Sequence, residues 1–91
     1  MQLKILTVTK QNGYIEVGYE ATLDVPLAQQ AGRGGATIIK TGKIGYTNGT
    51  SATDIKADMV NKLNAAQTDL NNDTTYQYYG TIYNGTSWIT P

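Results

Sequence analysis

The chain has 91 residues and a formal net charge of +0, with 40% hydrophobic and 15% charged residues. This length indicates a single domain, 1–91, and the composition is too apolar for a disordered chain. The sequence contains no cysteine and no histidine, which excludes disulfides and zinc sites built on those side chains. No basic run supports binding to nucleic acid, no stretch approaches a membrane span, and no secretory signal is expected.

The first predicted element is a β-hairpin centred on Asn12-Gly13. Asn-Gly favours a two-residue type I′ turn, in which both central residues have positive φ. Counting outward from that turn pairs Gln11 with Tyr14, Val8 with Val17, Leu6 with Tyr19, and Lys4 with Ala21. The predicted apolar face comprises Leu6, Val8, Ile15, Val17, Tyr19, Ala21 and Leu23. The predicted polar face comprises Thr7, Thr9, Glu16, Gly18, Glu20 and Thr22, together with Leu3 and Ile5.

An exposed loop is predicted for Pro26–Gly35, which is rich in glycine and has neither a strand nor a helix period. A third strand is predicted over Ala36–Tyr46, interrupted by Gly42 and Gly45. Glycines inside strands are typical of bulges or of close backbone approach. The second and third strands are therefore expected to be long arms of one hairpin, with the loop at its tip.

One amphipathic helix is predicted from about Ala52 to Leu70. Ser51 is the predicted N-cap, with Asp54 three residues on, and Thr53 is an alternative cap. Asp58 and Lys62 form a favourable i,i+4 pair. The apolar stripe at helical spacing consists of Ile55, Met59, Leu63, Ala66 and Leu70.

A second hairpin is predicted around Asn84-Gly85, with strands at Thr75–Tyr83 and Thr86–Thr90. The order ββ-β-α-ββ predicts an α+β fold, either a mainly antiparallel sheet or a small sandwich, with one helix. One face of this hairpin is predicted to carry Tyr76, Tyr78, Ile82 and Ile89, and it suits the core better. The other face is predicted to carry Tyr79, Tyr83 and Trp88.

Two groups of acidic residues invite a catalytic or metal-binding interpretation. Glu16 and Glu20 share a strand face, as a carboxylate pair would, but solvent-facing glutamates among threonines explain them better. The segment Asp69–Asp73 resembles the start of a calcium loop but lacks the glycine and the final acid that such a loop needs. A helix end followed by a polar turn is the better interpretation, and no cofactor or metal is expected.

Contacts with a partner are instead expected at two places. Arg33 is the chain's only arginine, and together with Gln29 and Gln30 it lies in the predicted loop, where a contact could order on assembly. The second place is the aromatic group Tyr79, Tyr83 and Trp88, which suits a protein interface or a sugar platform if it is exposed. The alternative for this group is burial in the core.

The stretch Gly49–Ile55, the helix end Leu63-Asn64-Ala65-Ala66 and the Tyr/Thr-rich strand pair together resemble small structural proteins of tailed-bacteriophage virions. The resemblance covers about residues 44–90 and concerns composition and order of elements. It implies a non-catalytic virion subunit, assembled in the host cytoplasm, whose partners are copies of itself and other virion proteins. It carries over no catalytic residues.

The function expected from the sequence is therefore structural, in the head, neck or tail of a phage, with a homo-oligomer formed through β arms and loops. Sheet edges left by the hairpins favour such pairing between copies. The alternative is a small binding module, which would be either a phage inhibitor of a host protein or a carbohydrate-binding domain that uses the aromatic group. An enzyme is not expected, because only carboxylates, lysines and hydroxyls are present to form a nucleophile–base pair.

Overall fold

A computed structural model describes residues 1–75, which form an antiparallel sheet and two helices. This arrangement confirms the predicted α+β class. The hairpin predicted for Thr75–Thr90 lies, apart from Thr75, outside the described residues. The elements in chain order are β1 (Gln2–Gln11), β2 (Tyr14–Asp24), α1 (Leu27–Arg33), β3 (Thr37–Thr47) and α2 (Ala52–Asn71).

The sheet has the order β1-β2-β3, so β2 is the central strand of the described chain. The first hairpin turns at Asn12-Gly13 with Gln11 paired to Tyr14, as predicted. Gly13 has a φ of 79°, whereas Asn12 does not have positive φ. The predicted type I′ turn is therefore wrong, because that turn needs positive φ at both central residues.

The predicted pairing of Val8 with Val17 is confirmed, but the register changes further along β1. A β-bulge lies between Ile5 and Thr7, and it leaves Leu6 as the extra residue. The predicted pairing of Leu6 with Tyr19 is wrong, because Ile5 takes that place.

The predicted pairing of Lys4 with Ala21 is also wrong, because after the bulge Ala21 pairs with Leu3. Since side chains alternate between the two faces of a strand, a one-residue shift exchanges the faces. Leu3 and Ile5 thus move from the predicted polar face to the face of Val8. The shift gathers the apolar side chains of β1 on the side of the sheet that α2 covers.

The second and third strands pair along their whole length, from Tyr14 with Thr47 to Asp24 with Thr37. This confirms the long-armed hairpin. The exposed loop predicted for Pro26–Gly35 is wrong, because α1 occupies Leu27–Arg33. Pro26 suits the start of this helix, and Gly34 ends it with a φ of 75° in the left-handed region that favours glycine.

The two glycines inside β3 do not mark bulges, because the β2–β3 register is continuous; they leave room for tyrosine rings from β2. A Cβ built on Gly42 would lie 2.8 Å from the hydroxyl of Tyr19, its direct partner across the strands. A Cβ on Gly45 would lie 3.3 Å from the ring of Tyr14. Glycine thus lets an aromatic ring lie flat across the neighbouring strand on each face of the sheet.

The long helix α2 follows its prediction closely, ending one residue later, at Asn71. The Ser51 hydroxyl accepts a hydrogen bond from the Asp54 N–H at 3.1 Å, which confirms Ser51 as the N-cap. Within the predicted stripe, Met59 and Leu70 are buried, and Ile55, Leu63 and Ala66 are partly buried.

The core is concentrated where the end of β2 meets the end of α2. Leu23, Val25 and Leu70 form a buried cluster, with Ile38 and Leu63 packed against it. Ala66 completes the contact from the helix side. The first half of α2 starts beside the Asn12-Gly13 end of the sheet, where Val17 and Met59 are buried but Val8 and Val60 are exposed.

Candidate assembly surface

An apolar trough separates β1 from the first half of α2. It has a volume of about 390 Å³. Its walls are apolar apart from one lysine, and they come from both strands of the first hairpin and from two turns of the helix. The lining residues are Leu3, Ile5, Val8, Val17, Ala52, Ile55, Lys56, Met59 and Val60.

The helical wall of the trough follows from residue spacing along α2. Ala52, Lys56 and Val60 are four residues apart, so they share the flank of the helix that looks toward β1. Ile55 and Met59 lie next to this flank and form the floor with Val17. Lys56 places its charge at the rim, where its aliphatic stem can remain in apolar contact.

The strand wall of the trough exposes large apolar side chains to solvent. Val8 is 67% exposed and Ile5 is 46% exposed, and Val60 on the facing helix is 38% exposed. An exposed apolar residue on its own is ordinary, but several that line one concave surface are typical of an interaction site. The bulge at Leu6 builds this surface by bringing Ile5 and Leu3 to the trough.

Among residues 1–75, no strand pairs with the outer backbone groups of β1, which lie beside the trough. The Val25 N–H donates to the Ala36 carbonyl, on the β3 side of β2. Backbone N–H and C=O groups of successive residues in a strand point to opposite sides. The backbone groups of Tyr14, Glu16 and Gly18 therefore point toward β1. Their partners on β1 are Gln11, Thr9 and Thr7, whose backbone N–H and C=O groups point toward β2.

It follows that Val8 and Lys10 turn their N–H and C=O groups away from the sheet. Within residues 1–75 no strand lies beyond β1. The free backbone groups of Val8 therefore lie at the same place as its trough-facing side chain. An added strand would gain hydrogen bonds from the edge and apolar contacts from the trough.

The opposite flank of α2 is closed by polar contacts with β3. The Tyr46 hydroxyl and the Lys62 ammonium both donate to Asp58 Oδ2 at 2.6 Å. Lys62 Nζ also lies 5.6 Å from the centre of the Tyr46 ring, within cation–π range. Burial and the hydrogen bond to Asp58 raise the pKa of Tyr46 to about 12. Hydrogen bonds from Lys62 and Tyr46 lower the pKa of Asp58.

At the far end of the molecule, α1 forms a polar latch on the end of α2, consisting of Gln29, Arg33 and Asp73. The amide of Gln29 donates to the carbonyls of Leu70 at 2.7 Å and Asp73 at 3.2 Å. Its oxygen accepts from Arg33 Nε at 2.9 Å, and the same guanidinium forms an ion pair with the Asp73 carboxylate. Hydrogen bonds from Thr75, with a further one from Arg33, lower the pKa of Asp73.

The latch changes the interpretation of the three residues expected at the loop tip. Gln29 is 1% exposed, so its predicted place in an exposed loop is wrong. Gln30 is partly buried and donates to the Val25 carbonyl at 3.0 Å, and Arg33 is partly buried in the latch. The sequence offered no signal for this role, because it depends on α1 docking against a helix forty residues away.

Gln67 makes a second polar contact across long sequence separation. Its side-chain oxygen accepts from the Asp24 N–H and its amide donates to the Asp24 carbonyl, both at 2.8 Å. These are the two bonds that a neighbouring strand would make. The Gln67 side chain thereby pairs with the backbone N–H and C=O groups of Asp24, which lie beyond the start of β1. At this end of the sheet the chain's own side chain takes the place of a neighbouring strand.

Glu16, one of the two glutamates considered as a carboxylate pair, is engaged in an ordinary contact. Glu16 lies 3.5 Å from the Lys43 ammonium across the β2–β3 pair. Among the described residues no group of three or more acidic side chains could hold a metal ion. Tyr79, Tyr83 and Trp88, the predicted aromatic group, lie outside the described residues.

Comparison with known proteins yields no match to any family model, curated protein or solved structure. None of the helices in residues 1–75 has the length and apolar character to cross a membrane. Among the described residues, the trough and the β1 edge beside it are the surface best suited to contact with another molecule.

Proposed function

We propose that this protein is a non-catalytic structural subunit that assembles with copies of itself and with other proteins of a bacteriophage virion. The observation that carries the proposal is the apolar trough beside the free edge of β1, where Ile5, Val8 and Val60 are exposed. Contact along this surface would bury apolar side chains and pair backbone groups in the same step.

The few buried hydrophobic residues within 1–75 support an assembling protein. In the described chain, buried hydrophobic residues amount to Val17, Ala21, Leu23, Val25, Met59 and Leu70. A domain of this size buries a modest share of its apolar surface, and association with a partner adds to that burial. The near-zero net charge also opposes association only weakly.

The virion assignment rests on the resemblance of residues 44–90 to phage structural proteins. Its Gly-Thr-rich turn and capped helix start correspond to Gly49–Ile55, where Ser51 caps α2. The first hairpin, β1–β2, resembles the extended β arms with which virion subunits often hold their neighbours. These features support a structural role, and the trough supplies the contact surface that such a role requires.

Two measurements on the full-length chain test the proposal. Sedimentation velocity over a wide concentration range is expected to give a mass above the 9.8 kDa of one chain that rises with concentration. Co-expression with the genes that flank its own is expected to place the protein in particles visible by electron microscopy. A mass of one chain at every concentration, together with exclusion from such particles, would overturn the proposal.

A further inference from the structure

We propose that the β1 edge and the apolar trough bind an extended acidic segment of another protein, in which large apolar residues alternate with glutamate or aspartate. The segment pairs with β1 as an added strand and directs its apolar side chains into the trough. This inference rests on the proposed function and names the chemistry of the partner that this surface takes.

Within residues 1–75, every charged side chain on β1 and in the lining of the trough is a lysine. Lys4 and Lys10 lie on β1, Lys56 lies on the facing flank of α2, and all three are exposed. None of the three belongs to an ion pair in this part of the chain, and the rest of the sequence contains no acidic side chain. The surface therefore carries positive charge that a partner's carboxylates can pair with.

The strand β2 shows which kind of neighbour β1 accepts. In β2, Ile15 and Val17 alternate with Glu16, and Glu20 lies directly across from Lys4. Val17 lines the trough, whereas the glutamates point to the other face of the sheet. A strand added on the outer side of β1 meets the same β1 side chains, so the same alternation suits it.

The two faces of an added strand would have different surroundings. Side chains on the trough face would lie beside Ile5 and Val8, and they should be apolar because a polar group there would lose contact with water. Side chains on the other face would lie beside Lys4, where a carboxylate forms a cross-strand charge pair. Lys10 and Lys56 favour a further acidic residue toward one end of the segment.

The same lysines disfavour the simplest alternative occupant, which is the β1 edge of a second copy. Such pairing would bring the lysines of both copies together, and the bulge at Leu6 interrupts the edge. Edge lysines and bulges discourage pairing between identical edges. A second copy cannot offer β2 instead, because β2 already pairs with β1 and β3. Copies can meet here through apolar contacts, and the acidic segment is expected to displace them.

The outer edge of β3 lacks this combination of features. Lys43 on β3 already pairs with Glu16, and the flank of α2 nearest β3 is closed by the hydrogen bond from Tyr46 to Asp58. Lys40 on β3 is exposed and belongs to no ion pair within residues 1–75. It therefore provides a matched control for the lysines near the trough.

Fluorescence anisotropy of labelled peptides mixed with the full-length protein tests the inference. The probe is a peptide of about eight residues, within the ordinary length of a strand, that alternates valine with glutamate. One control peptide alternates valine with lysine, and the other alternates serine with glutamate, so charge and apolar contact are varied separately. The protein variants are Lys4→Gln/Lys10→Gln/Lys56→Gln, Val8→Asp and the control Lys40→Gln.

The valine–glutamate peptide is expected to bind roughly tenfold more tightly than either control peptide, and more weakly as the salt concentration rises. The triple lysine variant and Val8→Asp should each weaken its binding by roughly tenfold, whereas Lys40→Gln should leave it unchanged. Equal binding of the three peptides, or an equal loss in Lys40→Gln, would overturn the inference. If the mass of the protein rises with concentration in sedimentation but the valine–glutamate peptide does not bind, a second copy is the occupant. The proposed function then stands and this inference alone fails.

Discussion

The two ends of α2 face the sheet in different ways. At its C-terminal end, Leu70 is buried with Leu23 and Val25, and Gln29 and Arg33 seal the contact with hydrogen bonds. At its N-terminal end the helix stands beside a trough of about 390 Å³, and the facing Val8 is exposed. A groove of about 640 Å³ also lies at the C-terminal end, but charged side chains form part of its lining. The trough at the N-terminal end is almost entirely apolar, and we infer that a partner fills it.

This comparison explains why polar residues are buried at the closed end. The Gln29 amide donates to the carbonyl of Leu70, in the last turn of α2, which also accepts from the Asp73 N–H at 3.2 Å. It also donates to the carbonyl of Asp73, just beyond the helix. Gln67 does the same for the backbone of Asp24. Nothing comparable among residues 1–75 covers the outward backbone groups of Val8.

The largest effect is expected from removing a core side chain at the closed end. Leu23 is 1% exposed, so Leu23→Ala should lower the free energy of unfolding by about 3 kcal/mol, through lost burial and a cavity. Urea denaturation followed by circular dichroism measures it. Ile39→Ala, at an exposed position, is the control and should change it by less than about 0.5 kcal/mol. Equal losses for the two variants would contradict the location of the core.

A smaller but clear effect is expected from breaking the latch. Gln29→Ala removes the side-chain donor to the carbonyls of Leu70 and Asp73 and the acceptor of Arg33 Nε, and it should cost about 2 kcal/mol. The same denaturation experiment applies, with Gln2→Ala on the exposed start of β1 as the control. An unfolding free energy that matches the control variant would show that the buried amide contributes nothing.

Crowding at the bulge should give a further loss. A Cβ on Gly18 would clash with the Thr7 hydroxyl oxygen but would lie 3.7 Å from the Thr7 Cβ, an ordinary contact distance. Gly18→Ala should therefore destabilise the chain by about 1 kcal/mol, and Thr7→Ala in the same chain should restore most of that loss. A double-mutant cycle in urea measures the coupling, and additive effects would argue against the close approach of these residues.

Asp73, which accepts hydrogen bonds from Thr75 and pairs with Arg33, should make the stability of the protein sensitive to acid. Its pKa in the folded state is lowered, so its contribution to stability is present above the unfolded-state pKa and is lost as the pH falls through the folded-state value. Asp73→Asn should make the unfolding free energy fall less steeply on acidification below about pH 4. Denaturation curves at a series of pH values measure the slope, and an unchanged slope would contradict a charged Asp73 in the latch.

Local signals in the sequence predicted much of the fold. The Asn12-Gly13 turn fixed the pairing of Val8 with Val17, and Ser51 with Asp54 marked the start of α2. These features depend on a few adjacent residues, whose conformational preferences are strong. The long β2–β3 arms followed from the glycine-rich gap between two β-rich stretches.

The features that position the candidate site depend on distant contacts, and they were not predicted. The sequence around Leu6 contains no signal that predicts a bulge. The bulge is favoured because it turns the side chains of Leu3 and Ile5 toward α2. The segment around Gln29 has no helical period, and it folds as α1 where it can dock on Leu70 and Asp73. The trough could not be foreseen, since without the bulge Leu3 and Ile5 belong to the other face.

The most direct test of partner binding at the trough is the mass of full-length variants measured by sedimentation velocity. Val8→Asp places a charge in the trough and should weaken association by roughly tenfold or more, whereas Ile39→Asp should associate like the unmodified chain. Both substitutions replace an exposed strand residue, so their effects on folding are matched. Equal association of the two variants, or loss of association in Ile39→Asp alone, would contradict the account.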